Sequence, residues 1–402
     1  MFFKKAIGKF NFFKILQLAL RQTCGGRLFY GIFTWKIMPQ GALWEEKAME
    51  LITEKQSLWE YLQQSKKPVV LYGMGDGALK IMAVLKQYQI PLAAIFASDN
   101  FVRGHSFQGF PVLHLADVEA KFQDFIILMA FAIHDDGMTQ YIRQIAGRHE
   151  FYAPDVPVAG ENLFTMEFYR VHEEQFQQVY GLLADEQSRR VYRDILNYKI
   201  SGKLCYLQSC QTTVQEAYAN ILRPGEEEIY ADLGAYKGDT IEELLTYTGG
   251  RCKKVIAIEP DRKNYKKLLA TVERLGLSQA VCCNVAAYSQ KGLRLFASKA
   301  GRQSALSSAQ GVETPVDSLD NILNGEPVTL INMDVEGGEK EAIEGCAKTI
   351  AAYKPKMLIS AYHRSEDLFA LPLQIHALRP DYRFYFRHYQ YIPAWDTNLY
   401  CV

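Results

Sequence analysis

The chain has 402 residues, of which 49% are hydrophobic and 22% are charged, and this composition excludes a disordered or fibrous protein. At roughly 150 residues per domain, the length predicts about two or three domains. The 45 basic and 45 acidic residues cancel, whereas a nucleic-acid-binding protein usually carries a basic excess, so we predict no nucleic-acid partner. The eight cysteines form no CxxC pair, which indicates reduced thiols and a cytoplasmic location.

Residues 1–49 form a basic N-terminal segment, because seven lysines and arginines precede the first acidic residue, Glu45. Apolar residues recur in it near helical spacing, but no run reaches the ~18 apolar residues that a membrane span needs. A basic amphipathic helix within residues 1–30 could touch the inner face of a membrane or pack on the protein's own core. The sequence leaves both readings open.

Residues 50–158 predict a small Rossmann-like domain. A helix is expected at Glu45–Gln64, and the apolar run Val69–Tyr72 then predicts a buried strand that leads into a glycine turn. A helix at Leu79–Tyr88 and a second strand at Leu92–Phe96 follow, so the strands should be parallel and joined by a right-handed crossover. The turn is a weak signal for nucleotide binding, and a scaffold role is the alternative. The candidate nucleotide contacts are Gly73, Gly75, Gly77 and Asp99.

The next segment, residues 159–204, predicts a helical connector, because its apolar residues are spaced for one helical face. Strand and helix signals then alternate from residue 205 to residue 402. Such alternation predicts a second α/β domain with a largely parallel sheet.

The stretch EEEIYADLGAYKGDTIEELL, residues 226–245, predicts a strand, a glycine loop and a helix. The N–H groups at the start of a helix attract anions such as a phosphate or a carboxylate. Asp232, at the carboxyl end of the strand, repels a pyrophosphate but attracts an ammonium group. S-adenosylmethionine carries both an α-carboxylate and an α-ammonium, so one molecule would satisfy both features. Cofactor contacts are therefore expected from Asp232, Gly234, Ala235, Gly238 and Thr240.

Two further strand ends extend this predicted cofactor site. Glu259 ends the strand in KKVIAIEPDRKNYKKLL and is suited to accept hydrogen bonds from both hydroxyls of a ribose. Asn284 ends the following strand, where it could read an adenine edge or cap a turn. Together with the glycine loop, these residues would bracket a nucleoside with an amino-acid tail.

The acceptor side is predicted at two more strand ends, which carry Asp334 and His363. Methyl transfer is an in-line displacement in which the protein aligns the acceptor and removes its proton. His363 is a suitable general base because an imidazole has an unperturbed pKa of about 6.5, and Asp334 could orient the hydroxyl or share the role. The candidate acceptor contacts are Glu336, Tyr362 and Arg364.

Asp334, Glu336 and His363 could also gather a divalent metal ion. They are distributed over two strand ends without a recognised ligand spacing, so we predict no metal.

The ordered motifs resemble the FkbM family of S-adenosylmethionine-dependent methyltransferases. The matching pieces are DLGAYKGDTIEEL, IAIEPDRKNYKKL, TPVDSLD, INMDVEGGEKEAIEG, KPKMLISAYHRSEDL, YFRHYQ and TNLYCV, within residues 205–402. The resemblance implies a class I methyltransferase sheet with cofactor contacts at Asp232, Gly234, Gly238 and Glu259. It also implies methylation of a hydroxyl on a sugar, glycan or natural product. Asn332 departs from the family pattern, because a lysine is common at this position.

The expected fold class is therefore α/β, with two Rossmann-like three-layer units. The second unit should be a seven-stranded methyltransferase sheet that ends in an antiparallel hairpin. The expected function is O-methyl transfer from S-adenosylmethionine to a small-molecule or glycan hydroxyl. The alternative is an NAD- or nucleotide-sugar-dependent enzyme or binding module centred on the N-terminal domain. The oligomeric state cannot be read from the sequence.

Overall fold

The computed structural model describes residues 35–37, 43–45, 50–297 and 311–402. The basic amphipathic helix predicted within residues 1–30 lies outside the described residues. In the N-terminal unit, Trp35–Ile37 (β1) and Leu43–Glu45 (β2) form a two-stranded antiparallel sheet. Residues Leu51–Val402 form a second compact unit, which contains the other helices and strands that the structure describes.

A six-stranded sheet occupies the N-terminal part of the large unit. Its order is β5-β6-β4-β3-β7-β8, and only β5 is antiparallel to its neighbour. The strands are Val69–Tyr72 (β3), Leu92–Phe96 (β4), Ser106–Phe107 (β5), Phe110–Leu113 (β6), Ile126–Met129 (β7) and Glu150–Tyr152 (β8). The associated helices are Leu58–Gln64 (α1), Asp76–Gln87 (α2), Leu115–Lys121 (α3) and Asp136–Ala146 (α4).

A run of helices joins this sheet to the C-terminal one. The helices are Met166–Val171 (α5), Glu173–Leu182 (α6), Glu186–Ser201 (α7), Leu204–Cys210 (α8) and Val214–Ala217 (α9), and a π-helical turn follows at Tyr218–Leu222. The longest, α7, buries nearly all of its last turns and packs against the edge strand of the C-terminal sheet. Its N-cap, Asp185, also accepts a hydrogen bond from the buried guanidinium of Arg387 (Nη2 to Oδ2, 2.7 Å).

The C-terminal sheet has seven strands in the order β11-β10-β9-β15-β16-β18-β17. The first five are parallel, and the last two form an antiparallel hairpin. The strands are Ile229–Leu233 (β9), Lys254–Ile258 (β10), Ala280–Cys283 (β11), Leu330–Met333 (β15), Lys356–Ser360 (β16), Phe384–His388 (β17) and Thr397–Cys401 (β18). The expected α/β class and the seven-stranded sheet with its terminal hairpin are thus confirmed.

Helices cover this sheet, and a small second sheet lies between β11 and β15 in the chain. The helices are Asp239–Tyr247 (α10), Arg262–Arg274 (α11), Leu319–Leu323 (α12), Glu339–Glu344 (α13), Ala347–Tyr353 (α14) and Asp367–Leu378 (α15). The small sheet has the order β12-β14-β13 and consists of Ala286–Ala287 (β12), Gly292–Ala297 (β13) and Gly311–Asp317 (β14). The sequence interpretation did not anticipate this small sheet.

One hydrophobic core extends across the large unit. Ile127 from the first sheet, Phe176 and Ile195 from the connecting helices, and Ile331 and Phe386 from the second sheet are all fully buried in it. Because this core is shared, the two sheets and the connector form one body.

The helix expected at Glu45–Gln64 is shorter than predicted. It begins only at Leu58, and the chain before it is not helical from Glu50 to Ser57. The cause is a capping box, in which the Ser57 hydroxyl accepts from the Glu60 N–H and the Glu60 carboxylate accepts from the Ser57 N–H. Elsewhere in the described chain, no helix has both the length and the apolar character of a membrane span.

His388 supplies a test of the packing of the sheet edge. The side chain is 1% exposed, Nδ1 lies 3.1 Å from Thr397 Oγ1, and burial lowers the pKa of the imidazole to about 3. In the unfolded chain the same group binds a proton below its ordinary pKa of 6.5. The contribution of the neutral His388 side chain to the free energy of unfolding is therefore fully present above pH 6.5, and it is lost as the pH falls from 6.5 towards 3.

We expect the free energy of unfolding of the wild type to fall by about 1.4 kcal/mol per pH unit between pH 6 and 4, relative to His388→Gln. Urea unfolding at several pH values measures this difference. His105→Gln, at an exposed histidine, is the matched control and should keep the wild-type slope. Parallel curves for the wild type and His388→Gln would contradict the prediction.

Candidate active site

The residues predicted from separate motifs meet at one edge of the seven-stranded sheet. Strands β9, β10, β11, β15 and β16 are parallel, so their carboxyl ends share that edge. Neighbouring loops are joined through backbone hydrogen bonds, from Gly234 N to Ile258 O (2.9 Å) and from Asp334 N to Leu233 O (2.9 Å). The edge is the place where open α/β sheets bind their ligands.

The glycine loop between β9 and α10 needs glycine at two positions. Gly234 has φ +91°, and a Cβ atom there would lie 1.9 Å from the carbonyl oxygen of Asp334. Gly238 has φ +90°, and a Cβ atom there would lie 2.9 Å from Thr271 Cγ2. The first glycine brings the loop into backbone contact with the chain after β15, and the second lets α10 begin against α11.

Asp232, at the start of this loop, is fully buried. Its Oδ1 accepts a hydrogen bond from Asn332 Nδ2 (2.9 Å), and its Oδ2 accepts one from the Thr240 hydroxyl. Burial raises the pKa of the carboxyl to about 6, while these two donors oppose the rise. Asp232 therefore ties the loop to the neighbouring strand and to α10. Asn332, whose role the sequence did not reveal, adds a side-chain hydrogen bond to the backbone pairing of β9 and β15.

Glu259 and Asn284 organise the loop after β10. Glu259 is 6% exposed, and its two oxygens accept the backbone N–H groups of Tyr236 (2.9 Å) and Asp261 (2.8 Å). Burial raises the pKa of this carboxyl. Asn284 Nδ2 donates to the carbonyls of Glu259 (2.8 Å) and Pro260 (3.0 Å). Each carboxylate oxygen has a second lone pair, so Glu259 can still accept a ligand hydroxyl.

Asp334 presents a partly exposed carboxylate beside the glycine loop. Its side chain is 42% exposed, yet Oδ1 is buried, so the exposure lies on its other atoms. The Tyr362 hydroxyl lies 3.4 Å from Oδ2. Burial raises the pKa of the Asp334 carboxyl to about 6.

His363 lies behind Asp334 and is only 1% exposed. Its Nε2 is 3.3 Å from Asp334 Oδ1 and 3.9 Å from Glu336 Oε2, and its Nδ1 is 2.9 Å from Glu339 Oε1. Burial alone would lower the pKa of the imidazole, but Glu339, Asp334 and Glu336 together raise it to about 9. An imidazole in this field favours the protonated form at neutral pH, and a protonated imidazole cannot take a further proton from an acceptor.

Glu339 was missed by the sequence interpretation. It is 1% exposed, and besides facing His363 its Oε1 accepts the N–H groups of Val335 (3.1 Å) and Gly337 (3.3 Å). The available signal was its place in the acidic run DVEGGE, five residues after Asp334. That spacing allows one loop to supply carboxylates to both sides of one imidazole.

Arg364 is bonded to the loop after β15. Its Nε donates to the carbonyl of Gly337 (2.7 Å), and its N–H donates to Asp367 (2.8 Å). The linker after β8 covers this region, because Ala159 N donates to the carbonyl of His363 (2.9 Å) and the Ser365 hydroxyl donates to the carbonyl of Asn162 (2.6 Å). The structure therefore brings Asp334, Glu336, Tyr362 and His363 together and gives Arg364 a bond to the loop.

The N-terminal glycine turn has a packing explanation. A Cβ atom at Gly73 would lie 2.6 Å from Phe131 Cδ1, and one at Gly77 would lie 2.4 Å from the carbonyl oxygen of Ala130. Gly75 has φ +102°, and Asp99 lies 2.8 Å from His114 Nδ1. Close packing between α2 and the loop after β7 therefore accounts for Gly73 and Gly77 without a ligand. Nucleotide binding at this turn stays a prediction.

Comparison with known proteins adds to this geometry. Residues 232–393 match the family model described as the methyltransferase FkbM domain. The crystal structure of methyltransferase FkbM from Methylobacillus flagellatus KT is 23% identical and covers 88% of this chain and 95% of its own, with a TM-score of 0.68. That likeness shows a common fold over both sheets. No curated protein matches.

Weaker structural matches include an rRNA methylase from Streptococcus thermophilus, which is 16% identical with a TM-score of 0.30. That match covers 44% of this chain and 87% of the methylase. Aeropyrum pernix fibrillarin with bound S-adenosyl-L-methionine has 13% identity, covers 44% of this chain and 67% of its own, and gives a TM-score of 0.29. Similarity at this level carries no argument. The matched residues begin at Asp232 and include Glu259, Asp334 and His363. Residues 232–393 are thus a methyltransferase domain of the FkbM family, which supports S-adenosylmethionine as the methyl donor.

Proposed function

We propose that the protein is an S-adenosylmethionine-dependent O-methyltransferase that acts on a hydroxyl of a sugar, a glycan or a natural-product-like small molecule. The backbone contact between Gly234 and Asp334 carries this proposal, because it sets a carboxylate beside the loop expected to hold the methyl donor. In-line transfer needs donor and acceptor held side by side in this way.

The cofactor would lie along the glycine loop, with its ribose at Glu259. The first turn of α10, which has no side-chain cap, offers N–H groups to the carboxylate of the methionine moiety. Asp232 is fully buried, so its contribution would be to hold the loop in shape. Asn284 Nδ2 donates to the backbone carbonyls of Glu259 and Pro260. Its Oδ1 would accept a hydrogen bond from the adenine amino group.

The acceptor hydroxyl would meet Asp334, which is the more exposed member of the Asp334–His363 pair. The carboxylate accepts the proton while the hydroxyl oxygen attacks the methyl carbon, and the electron pair of the breaking carbon–sulfur bond returns to sulfur. Glu336 and Tyr362 offer an acceptor and a donor at the same edge, which suits a ligand with several hydroxyl groups. His363, which is 1% exposed, would act through Asp334 as a positioning residue.

Cofactor binding is tested by Glu259→Gln. We expect S-adenosylhomocysteine to bind about 10- to 100-fold more weakly, because hydrogen bonds between ribose hydroxyls and a charged carboxylate are lost. Isothermal titration calorimetry measures this change. The matched control is Glu273→Gln, an exposed carboxylate on α11, which should bind as the wild type does. Equal affinity in the two variants would remove Glu259 from the cofactor site.

Acceptor activation is tested by Asp334→Asn. We expect the methyl-transfer rate to fall about 10²- to 10⁴-fold with little change in cofactor affinity, because a neutral amide cannot take the proton. Transfer of labelled methyl groups to paired acceptors, a glycoside and the matching amino sugar, measures the rate and separates hydroxyl from amine methylation. Asp381→Asn, at an exposed carboxylate, is the control. Full activity in Asp334→Asn, or transfer only to the amine, would overturn the proposal.

A further inference from the structure

The imidazole of His363 lies between two carboxylates, one near each of its nitrogens. Glu339 Oε1 lies 2.9 Å from Nδ1, and Asp334 Oδ1 lies 3.3 Å from Nε2. Glu339 is as buried as His363, at 1% exposure, and its own oxygen is fixed by two backbone N–H groups. A buried carboxylate on one imidazole nitrogen is the arrangement that orients a metal-ligating histidine, because it leaves the other nitrogen's lone pair pointing at the ion.

The opposite nitrogen faces oxygen ligands at suitable distances. Two atoms that each lie about 2.1 Å from one ion are separated by roughly 3 to 3.5 Å at octahedral or tetrahedral angles. Asp334 Oδ1 is within that range of His363 Nε2, at 3.3 Å, and Glu336 Oε2 is slightly farther, at 3.9 Å. The Glu336 side chain is 63% exposed, so its carboxylate is also accessible to solvent.

Two buried oxygens in this cluster accept no hydrogen bond from the described residues. They are Asp334 Oδ1 and Glu339 Oε2; His363 Nδ1 also lacks a well-aligned hydrogen bond, although Glu339 Oε1 is 2.9 Å away. One ligand atom from each of Asp334, Glu339 and His363 also lies within 4.8 Å of the others. Buried carboxylate oxygens without a donor need a nearby cation, which is either the protonated imidazole of His363 or a metal ion that replaces its proton.

Contrary to the expectation from the sequence, we propose that Asp334 Oδ1, Glu336 and His363 Nε2 bind one divalent first-row metal ion, and that Glu339 orients the imidazole for this role. A ligand set of one imidazole nitrogen and two carboxylates suits manganese, iron, cobalt or zinc, whereas magnesium and calcium prefer sites built from oxygen alone. The ion takes the place of a proton on Nε2, because a ligating imidazole must be neutral. Three protein ligands leave positions for water or for a further oxygen ligand.

The catalytic meaning of this site rests on the proposed function. An acceptor hydroxyl bound to the ion becomes more acidic, because a divalent cation stabilises the developing negative charge on oxygen. Its proton can pass to Asp334 Oδ2, on the open side of the carboxylate, before the oxygen attacks the methyl group. Metal binding itself does not depend on which acceptor is used.

Manganese(II) binding to the full-length protein tests the site. We expect about one ion per chain by electron paramagnetic resonance titration, and a nitrogen-14 modulation in the spin-echo signal from His363 that disappears in His363→Gln. Glu336→Gln, which changes an exposed side chain and should fold normally, should weaken binding at least tenfold. Glu339→Gln should weaken it about 10- to 100-fold, because it removes the partner that orients the ligand.

The control is Glu273→Gln, which removes an exposed carboxylate elsewhere and should keep wild-type affinity. No manganese binding at millimolar concentration, equal affinity in Glu336→Gln and the control, or a signal without nitrogen modulation would each overturn the proposal. Calorimetry with S-adenosylhomocysteine on the same samples separates the two proposals. Manganese binding without cofactor binding would keep the metal site and reject the methyltransferase proposal, whereas the reverse result would reject the metal site alone.

Discussion

The active-site edge depends on a backbone contact that permits no side chain. The carbonyl oxygen of Asp334 lies where a Cβ atom of residue 234 would stand, at 1.9 Å, so only glycine allows the two loops to meet. The Asp334 N–H donates to the carbonyl of Leu233. The Asn332 side chain donates to the Asp232 carboxylate, where these two residues pair between β15 and β9. These contacts fix the glycine loop after β9 against the loop after β15, the two loops to which we assign the cofactor and the acceptor. Such pre-organisation is what transfer between two bound molecules requires.

Buried carboxylates maintain the shape of this edge. Asp232 joins a loop, a strand and a helix, while Glu259 holds two backbone N–H groups from different segments. Asp232 is fully buried and would influence a ligand through the loop that it shapes, whereas Glu259 keeps lone pairs that can also accept the ribose hydroxyls. Asp334 and Glu336 differ, because substantial parts of their side chains face solvent. The site thus separates carboxylates that build the loops from carboxylates that can meet a substrate.

Much of the architecture could be predicted from local patterns. Apolar runs followed by Asp232, Glu259, Asn284, Asp334 and His363 marked the strand ends, and parallel order placed them together. The small sheet was missed because β12 has only two residues and pairs with β14 rather than with β13, the next strand in the chain. The roles of Asn332 and Glu339 also escaped, since each depends on a partner about 25 to 100 residues away. Sequence patterns identify which residues end a strand, but not which atoms those residues contact.

The linker after β8 contacts elements that belong to both sheets. Ala159 lies so close to the loop after β15 that a Cβ atom at Gly337 would be 2.4 Å from its own Cβ, and its N–H bonds to His363. Lys80 of α2 in turn donates to the carbonyls of Pro157 and Val158, both at 3.0 Å. The helix α2, which is associated with the first sheet, therefore supports the linker that packs against the loops of the second sheet. Separating the C-terminal sheet from residues 50–204 would expose the backbone of Gly337 and His363, in the loops after β15 and β16, so this sheet depends on the linker for its own packing.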